Sequence, residues 1–182
     1  MADSPIRRVL AVLGSAAFLV IAPGMVAGAV PRWISGWRFQ PAPLGLPGLR
    51  IVGGILIAAG ALVLLESFAR FALQGIGTPA PVFPTKHLVV SGLYRYVRNP
   101  MYLAVVSAIL GQALLFGDAR LLAYAALVWL AFHAFVLAVE EPMLRRSFGA
   151  EYADFCANVH RWLPRRSPWR SSPGAQRTSA GG

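Results

Sequence analysis

The sequence predicts an all-α integral membrane protein with about four transmembrane helices. Of its 182 residues, 57% are hydrophobic and only 13% are charged, whereas soluble domains have roughly 45 to 50% apolar and about 25% charged residues. So few charges cannot cover a water-facing surface. The charges are also spaced so that long apolar stretches lie between them, as expected for helices that cross the hydrocarbon core. The composition therefore excludes an ordinary soluble enzyme.

Four stretches are long enough to be spans, since a spanning helix needs about 20 predominantly apolar residues. They comprise residues 9–31, 49–69, 99–117 and 121–139. The second stretch is free of charge only from 51 to 65. It reaches full length if Arg50 and Glu66 lie at the two interfaces, where long charged side chains can extend to water.

The positions of the cations predict the orientation. Seventeen basic and seven acidic residues give a net charge of +10, which first suggests a nucleic-acid binder. With the amino terminus inside, however, thirteen of the seventeen cations fall on the cytoplasmic side, in agreement with the positive-inside rule. We therefore expect a multi-pass protein of the cell membrane with both termini cytoplasmic, facing anionic lipids, and no nucleic-acid partner.

The first apolar stretch has an alternative interpretation. Arg7 and Arg8, the apolar run and Ala27-Gly28-Ala29 together imitate a secretory signal peptide with its cleavage site. The run is longer than the usual h-region of about 7 to 15 residues, and its removal would place the charge-rich termini on opposite sides. A retained helix is favoured, and the cleaved form stays open as an alternative.

Pro, Gly and Ser divide the chain into three parts. Residues 1–73 hold the first two spans, 74–164 a loop, the last two spans and a short helix, and 165–182 a tail predicted to be disordered. Gly117-Asp118 joins the last two spans so closely that they must form a tight antiparallel hairpin. The segment 75–92 is too rich in Pro and Gly for a helix, and a loop of this length in a small protein indicates function.

Aromatic residues predict two further features. Trp33 and Trp37 are expected to anchor the first loop at the membrane interface. Beyond the last span, the apolar residues recur at helical spacing on one face. They are Phe148, Tyr152, Phe155 and Val159. This pattern predicts a short carboxyl-terminal amphipathic helix that lies on the membrane or on the loop.

Candidate chemistry gathers at the cytoplasmic start of the third span. Asn99 is a good N-cap and Pro100 a favoured first helical residue, so the span begins here. Free backbone amides and the helix dipole would favour an anionic group at this point, with Arg98 beside it and Tyr102 one turn further in. The alternative is that Asn99 merely caps the helix and the arginines anchor it.

Glu140 and Glu141 close the last span, and two carboxylates beside a bilayer need cationic or hydrogen-bonding partners. Those partners are either a ligand or, more simply, Arg145 and Arg146 at helical spacing. His133 lies nearly on the same helix face, where we expect it to satisfy a backbone carbonyl.

No metal site is expected. His87, His133 and Cys156 are isolated from one another in the sequence and do not have the spacing of metal ligands. Cys156 is the single cysteine, so no intramolecular disulfide can form, and we expect it to pack as a small apolar residue.

These residues also carry a resemblance that covers about residues 75–164. Its segments are GLYRYVRNPMY at 92–102, Gly111, Glu140-Glu141, Leu144 and FGAEY at 148–152. In order, spacing and membrane context they resemble the carboxyl-terminal signature of the isoprenylcysteine carboxyl methyltransferase and phospholipid methyltransferase family. Members of that family are integral membrane enzymes that use S-adenosylmethionine. The resemblance therefore implies methyl transfer to a lipophilic small molecule or a lipid.

The resemblance also implies which residues form the site. The cofactor would be bound by the loop before the third span, by the start of that helix and by the two glutamates. These residues are Lys86, His87, Leu88, Val89, Tyr94, Asn99, Pro100, Met101, Tyr102, Glu140 and Glu141. The candidate catalytic residues are Arg98, Asn99 and Tyr102. The chemistry agrees, because the cofactor offers a carboxylate to a helix amino terminus or to Arg98, and an ammonium, hydroxyls and a sulfonium to carboxylates or tyrosine oxygens.

Two departures from the family pattern bear on the acceptor. Asn99 stands where many relatives have His, and Asn can hydrogen-bond but cannot titrate. Eukaryotic prenylcysteine enzymes have an arginine about one turn before the second glutamate, where this chain has Val136 and Leu137. An isoprenylcysteine carboxylate is thus disfavoured. We expect direct displacement at the sulfonium methyl by another lipophilic acceptor, with phospholipid N-methylation and a non-catalytic membrane protein as the alternatives.

Overall fold

The computed structural model describes residues 21–74, 88 and 90–170, and all regular secondary structure within them is helical. The helices are α1 (Val30–Ser35), α2 (Gly48–Gln74), α3 (Pro100–Phe116), α4 (Ala119–Phe135) and α5 (Glu141–Asn158). Two π-helical turns, Met25–Ala29 and Val136–Glu140, lead directly into α1 and α5, and 3-10 turns occupy Pro43–Gly45 and Gly92–Arg95. The all-α prediction is confirmed.

Two helical runs are long and apolar enough to cross a membrane, Gly48–Ala69 and Ala119–Asn158. Helix α3 is apolar but shorter, and residues 9–20 of the first predicted span lie outside the described residues. Large aliphatic side chains on α2 and α4 are exposed, among them Ile51, Ile55, Leu62, Leu127 and Leu130. Such surfaces suit lipid tails rather than water. These features agree with the predicted membrane protein, and the count of four spans stays a prediction.

The backbones of α2 and α3 lie nearly in contact because glycines occupy their interface. A Cβ atom added to Gly53 would lie 2.6 Å from the carbonyl oxygen of Gly111, and one added to Gly60 would lie 2.6 Å from that of Ala104. Small residues at helix interfaces permit the close van der Waals packing that stabilises membrane helices. A buried core continues from this seam to α4. Its members are Leu64, Phe68, Ala104, Val105, Ile109, Ala125 and Val128.

The first π-helical turn is explained by Pro31, which has no backbone N–H to donate to the preceding turn. Two carbonyls of that turn receive side-chain donors instead. Gln112 of α3 donates to the carbonyl of Ala27 at 2.6 Å, and Tyr124 of α4 donates to that of Val26 at 3.0 Å. These hydrogen bonds attach the first helical segment to α3 and α4.

The two tryptophans of the first loop differ in their surroundings. Trp33 is 87% exposed, as an interface anchor would be. Trp37 instead stacks on Phe116, with ring centroids 6.4 Å apart, and its indole N–H donates to Gln112 at 3.1 Å. Trp37 is still 45% exposed, so its role as an interface anchor stays a prediction, with these contacts to α3 in addition.

The connection between α3 and α4 consists of Gly117 and Asp118. Gly117 ends α3 in the left-handed conformation, with φ of 75°. The Asp118 carboxylate caps α4 by accepting from the backbone N–H of Arg120 at 3.0 Å, and it accepts from the Arg120 guanidinium at 2.7 Å. These hydrogen bonds from Arg120 hold the pKa of Asp118 below its ordinary value of 3.8.

The last helix is longer than predicted, since Glu140 and Glu141 do not end it. Helix α4 passes through the second π-helical turn into α5, which continues past the glutamates as far as Gly149. There the backbone leaves the helical conformation, with φ of 47° and ψ of −118°, and a second helical segment follows to Asn158. Pro142 accounts for the π-helical turn, because it cannot donate to a carbonyl one turn back. The two glutamates therefore lie inside a helix, where neighbouring elements can surround them.

The predicted amphipathic face packs on the loop rather than on lipid. Tyr152, Phe155 and Val159 are buried together, and Leu88, Val90 and Trp169 pack against them. Residues 159–170, here called the C-terminal strap, then pass beside the segment 94–99. The structure differs here from the expectation of a tail disordered from residue 165: the backbone N–H groups of Arg165 and Trp169 donate to the carbonyls of Tyr96 and Arg95, each at 2.9 Å. Residues 171–182 lie outside the described residues.

Candidate functional site

Helix α3 begins where the sequence predicts, with Asn99 at the N-cap position and Pro100 as its first residue. The expected side-chain cap is wrong, because the Asn99 side chain makes no capping hydrogen bond. Its amide donates instead to the carbonyl of Arg161 at 3.3 Å. Asn99 is nearly buried, at 7% exposure, and it connects the start of α3 to the C-terminal strap.

Glu140 contacts the first turn of α3. Its carboxylate accepts a hydrogen bond of 2.9 Å from the phenol of Tyr102, whose ring packs on Phe132 with centroids 4.6 Å apart. The π-helical turn that ends at Glu140 adds one residue to the helical repeat and so turns the following residues by about 100°. A carboxylate and a phenol from two helices, distant in sequence, are brought together in this way.

Glu141 lies between two arginines. Its Oε1 accepts from Arg98 Nη1 at 3.2 Å and from Arg161 Nε at 2.6 Å. The side chains of Arg98 and Glu141 are only 12% and 8% exposed, so this is a charge-assisted cluster with little access to water. The expected pairing with Arg145 and Arg146 is not what the structure shows. Arg145 lies over the ring of Tyr152, 5.8 Å from its centroid.

Arg98 also contacts the single cysteine. Its Nη1 donates to Cys156 Sγ at 2.8 Å, and Cys156 packs beside Tyr152 and Phe155. The apolar packing expected for Cys156 is present, and the guanidinium contact is an addition to it. The Arg98 cation is thereby held between a carboxylate and a half-buried thiol.

Tyr94 lies in the 3-10 turn that precedes α3. Burial raises the pKa of its phenol far above the ordinary value of 10.0, and the nearby carboxylates of Glu140 and Glu66 raise it further. Tyr94 therefore stays a neutral phenol near both acids. Its position joins the end of α2 to the Glu140–Tyr102 pair.

The other predicted site residues separate into three groups. Pro100 is buried, and Met101 packs against the core of α2, α3 and α4. Leu88 packs on the cluster of Tyr152, Phe155 and Val159. Lys86, His87 and Val89 lie outside the described residues, so their assignment stays a prediction.

Arg161 is the residue that sequence reasoning missed. It supplies both a guanidinium to Glu141 and a carbonyl to Asn99. In the sequence it is one of seven arginines after the last span, and nothing in its local pattern separates it from the others. Its position depends on the fold of the strap, which no periodicity indicates.

His133 makes a different contact from the one expected. Its Nδ1 accepts from the indole N–H of Trp162 at 3.0 Å, and its ring stacks on Trp129 with centroids 5.3 Å apart. The prediction of a backbone carbonyl partner is therefore wrong, although the role is still structural. This contact attaches the strap to α4.

The described residues contain no group of three His, Cys, Asp or Glu side chains that could hold a metal ion. They do contain a set of complementary polar groups at the start of α3. A cationic part is formed by Arg98 and Arg161 around Glu141, and an acidic and phenolic part by Glu140, Tyr102 and Tyr94. The arrangement can bind a ligand that carries both an anionic and a cationic group.

Comparisons with known proteins give one family and one relative. The chain is 28% identical over 151 residues to a cobalt transport protein, CbiM, of Roseiflexus sp. (strain RS-1), which covers 77% of this chain and 59% of that protein. The chain thus spans about three fifths of the length of this relative. No solved structure matches the chain.

The family match covers most of the site. The sequence model of the phospholipid methyltransferase family matches residues 49–151, more than half of the chain, and these residues include α2, α3, α4, Tyr94 and both glutamates. The resemblance noted in the sequence is confirmed at this level. The chain therefore belongs to the phospholipid methyltransferase family.

Proposed function

We propose that this protein transfers a methyl group from S-adenosylmethionine to a lipophilic acceptor. One observation carries the proposal: the start of α3, both glutamates and two arginines meet at one place. Glu140 contacts Tyr102 at 2.9 Å, and Glu141 contacts Arg98 at 3.2 Å and Arg161 at 2.6 Å. Tyr102, Glu140 and Glu141 are among the residues that the family resemblance assigns to the cofactor. Arg98 is one of the candidate catalytic residues, and Arg161 is an addition from the structure.

The donor set fits S-adenosylmethionine. Arg98 and Arg161 carry two positive charges against the single charge of Glu141, and the excess leaves Arg98 suited to bind the carboxylate of the cofactor, together with the amides at the start of α3. Glu140 and Tyr102 offer oxygens for an ammonium or for hydroxyl groups. We propose that Lys86, His87 and Val89 complete the site from the loop.

When bound, this cofactor supplies an electrophilic methyl group that an acceptor can take up in one displacement. The residues of the chain orient the two reactants, and positioning alone can contribute several kcal/mol, up to about 7 to 11 in well-oriented systems. Tyr94 remains a neutral phenol near Glu140, and the phenol of Tyr102 donates to it. If the acceptor is an amine, it must lose a proton, and Glu140 is the carboxylate that we propose to take it.

The acceptor is proposed to arrive from the bilayer. An open groove of about 460 Å³ lies between the end of α2 and the turn before α3. Its apolar wall includes Leu62, Val63 and Leu93, and its polar part Glu66, Arg95 and Tyr96. Leu62 is 67% exposed on the lipid-facing side of α2, so an aliphatic chain can lie along it while a polar group turns toward Tyr94.

Phospholipid N-methylation is the second candidate, and the description of the matched family favours it. A head-group amine would be positively charged before reaction, and the carboxylates near Tyr94 suit a cation. For either acceptor we propose that the site faces the cytoplasm, with both termini on that side, because thirteen of the seventeen cations then lie inside.

The experiment that tests the function uses membranes enriched in the full chain and S-adenosylmethionine labelled at its methyl group. After incubation, lipids, proteins and small molecules are separated and counted. We expect label in one lipophilic fraction with the wild type and much less with Glu140→Gln. Label in phospholipid head groups would select the second candidate. Label in no fraction, although the cofactor binds, would contradict methyl transfer.

A further inference from the structure

The C-terminal strap contacts the start of α3 and the cationic part of the proposed site, although it lies outside the residues matched by the family. The backbone N–H of Arg98 donates to the carbonyl of His160 at 3.0 Å, and the Asn99 amide donates to that of Arg161 at 3.3 Å. The Arg161 side chain then reaches Glu141 at 2.6 Å. Three consecutive contacts thus connect the strap with the start of α3 and with α5.

The strap is itself held firmly at both ends. Val159 is fully buried between Tyr152 and Phe155, and Trp162 donates to His133 on α4 at 3.0 Å. Further along, Trp169 N donates to the carbonyl of Arg95 at 2.9 Å while Arg95 Nε donates to the carbonyl of Trp169 at 2.7 Å. Arg161 lies between these attachments, so its guanidinium approaches Glu141 from a fixed backbone.

The position of the Glu141 carboxylate would be less well defined without the hydrogen bond from Arg161. Its Oε1 accepts from two arginines, and the bond from Arg161 is the shorter, 2.6 Å against 3.2 Å from Arg98. Arg98 also divides its Nη1 between Glu141 and Cys156. With Arg161 absent, Arg98 would be the one cation bonded to a carboxylate that is 8% exposed, and the geometry of both groups would change.

We propose that Arg161 is a positioning residue, which fixes Glu141 and through it Arg98 in the arrangement that binds the cofactor. The inference rests on the proposed function for the identity of that cofactor. The inference goes beyond the proposed function because it assigns a part of the site to the strap. The site is then built from α3, α5 and a segment after α5.

The test uses the purified full chain in detergent, with four single variants and one double variant. Arg161→Gln removes the charge, Arg161→Lys keeps it with a different geometry, and Arg166→Gln is the matched control on an exposed strap residue. Thermal unfolding of each variant is recorded first, so that loss of fold is recognised. Glu141→Gln and the double variant with Arg161→Gln complete a cycle that measures coupling.

Two readouts separate the inference from the proposed function. The first is the affinity for S-adenosylmethionine, measured by calorimetry. We expect Arg161→Gln to weaken cofactor binding by about 10- to 100-fold and Arg161→Lys to recover part of that loss. In a chain that already carries Glu141→Gln, adding Arg161→Gln should cause little further loss of affinity. The second readout needs no cofactor. Cys156 is the single cysteine and contacts Arg98, so its rate of modification by a maleimide reports on the Arg98–Glu141 arrangement.

We expect Arg161→Gln to change the Cys156 rate several-fold and Arg166→Gln to leave it unchanged. An unchanged Cys156 rate in a folded Arg161→Gln variant would overturn the positioning role, as would cofactor affinity equal to that of Arg166→Gln. Failure of the wild type to bind S-adenosylmethionine would instead overturn the proposed function. In that case the Cys156 rates still decide whether Arg161 holds Glu141 and Arg98.

Discussion

The carboxylate of Glu140 accepts a hydrogen bond of 2.9 Å from the phenol of Tyr102, which lies 38 residues earlier in the chain. This bond joins the π-helical turn after α4 to the first turn of α3. Around it, Glu141 binds Arg98 and Arg161, and Tyr94 lies near Glu140. The polar contacts of the site are thus organised by two adjacent glutamates that point to different partners.

Removing the Tyr102 hydroxyl group should weaken cofactor binding without unfolding the protein. In Tyr102→Phe the ring can still pack on Phe132, but Glu140 loses its donor. We expect affinity for S-adenosylmethionine to fall by about 10-fold, since leaving a buried partner unsatisfied costs roughly 1 to 3 kcal/mol. Calorimetry on the detergent-solubilised protein measures this change.

Tyr124→Phe is the control for that experiment. It removes a similar hydrogen bond, from Tyr124 to the carbonyl of Val26 at 3.0 Å, but far from Glu140 along the bundle. It should lower the unfolding temperature slightly and leave cofactor affinity unchanged. Equal losses of affinity in both variants would show that the Tyr102 effect is not specific to the site.

The glycine seam should tolerate no methyl group. A Cβ at position 111 would meet the Gly53 carbonyl oxygen at 2.6 Å, so Gly111→Ala requires α2 and α3 to separate. We expect a loss of about 1 to 3 kcal/mol in unfolding free energy, typical of overpacking, seen as a lower unfolding temperature. Gly54→Ala is the control, because nothing lies within 4 Å of its added Cβ. Equal stability of the two variants would contradict close packing at this seam.

The effects of substitutions at Gln112 and Pro31 on the free energy of unfolding should be coupled. Gln112→Leu leaves the carbonyl of Ala27 and the indole of Trp37 without their partner, which should cost roughly 1 to 3 kcal/mol. Pro31→Ala restores a backbone N–H to this turn. We therefore expect Gln112→Leu to be less destabilising in the Pro31→Ala background, as a thermal-unfolding double-mutant cycle would show. Strict additivity would refute this explanation of the π-helical turn.

Stability should depend on Asp118 at acidic pH. The hydrogen bonds from Arg120 lower the pKa of Asp118 in the folded protein. A carboxyl group with a depressed folded-state pKa contributes stability above its unfolded pKa of about 3.9 and loses it as the pH falls through the folded value. Wild type should thus lose unfolding temperature below about pH 4 more steeply than Asp118→Asn. Parallel pH profiles for the two proteins would contradict this role.

The features that depend on neighbouring residues could be predicted from the sequence. Composition and charge spacing predicted an all-α membrane protein, and Asn99-Pro100 predicted the start of α3. The spacing of Tyr152, Phe155 and Val159 predicted the buried cluster at the end of α5. Each of these depends on residues within a few turns of one another. The family resemblance, carried by the same residues, is confirmed by the match over 49–151.

The partners of those residues could not be predicted in the same way. Asn99 turns from its own helix to the strap, Glu141 takes Arg98 and Arg161 instead of Arg145, and Trp37 packs on α3. Each choice depends on which distant segment the fold brings near. The longer last helix was missed for a local reason, since Pro142 was compatible with either a helix end or a π-helical turn.

The most direct test of the central claim is calorimetric titration of S-adenosylmethionine into the purified chain and three variants. Glu140→Gln and Asn99→Ala alter the proposed site, and Glu151→Gln changes an exposed acid elsewhere on α5. We expect the wild type and Glu151→Gln to bind equally, and the other two at least about 10-fold more weakly. Failure of the wild type to bind, or equal binding by all four proteins, would contradict a cofactor site at the start of α3.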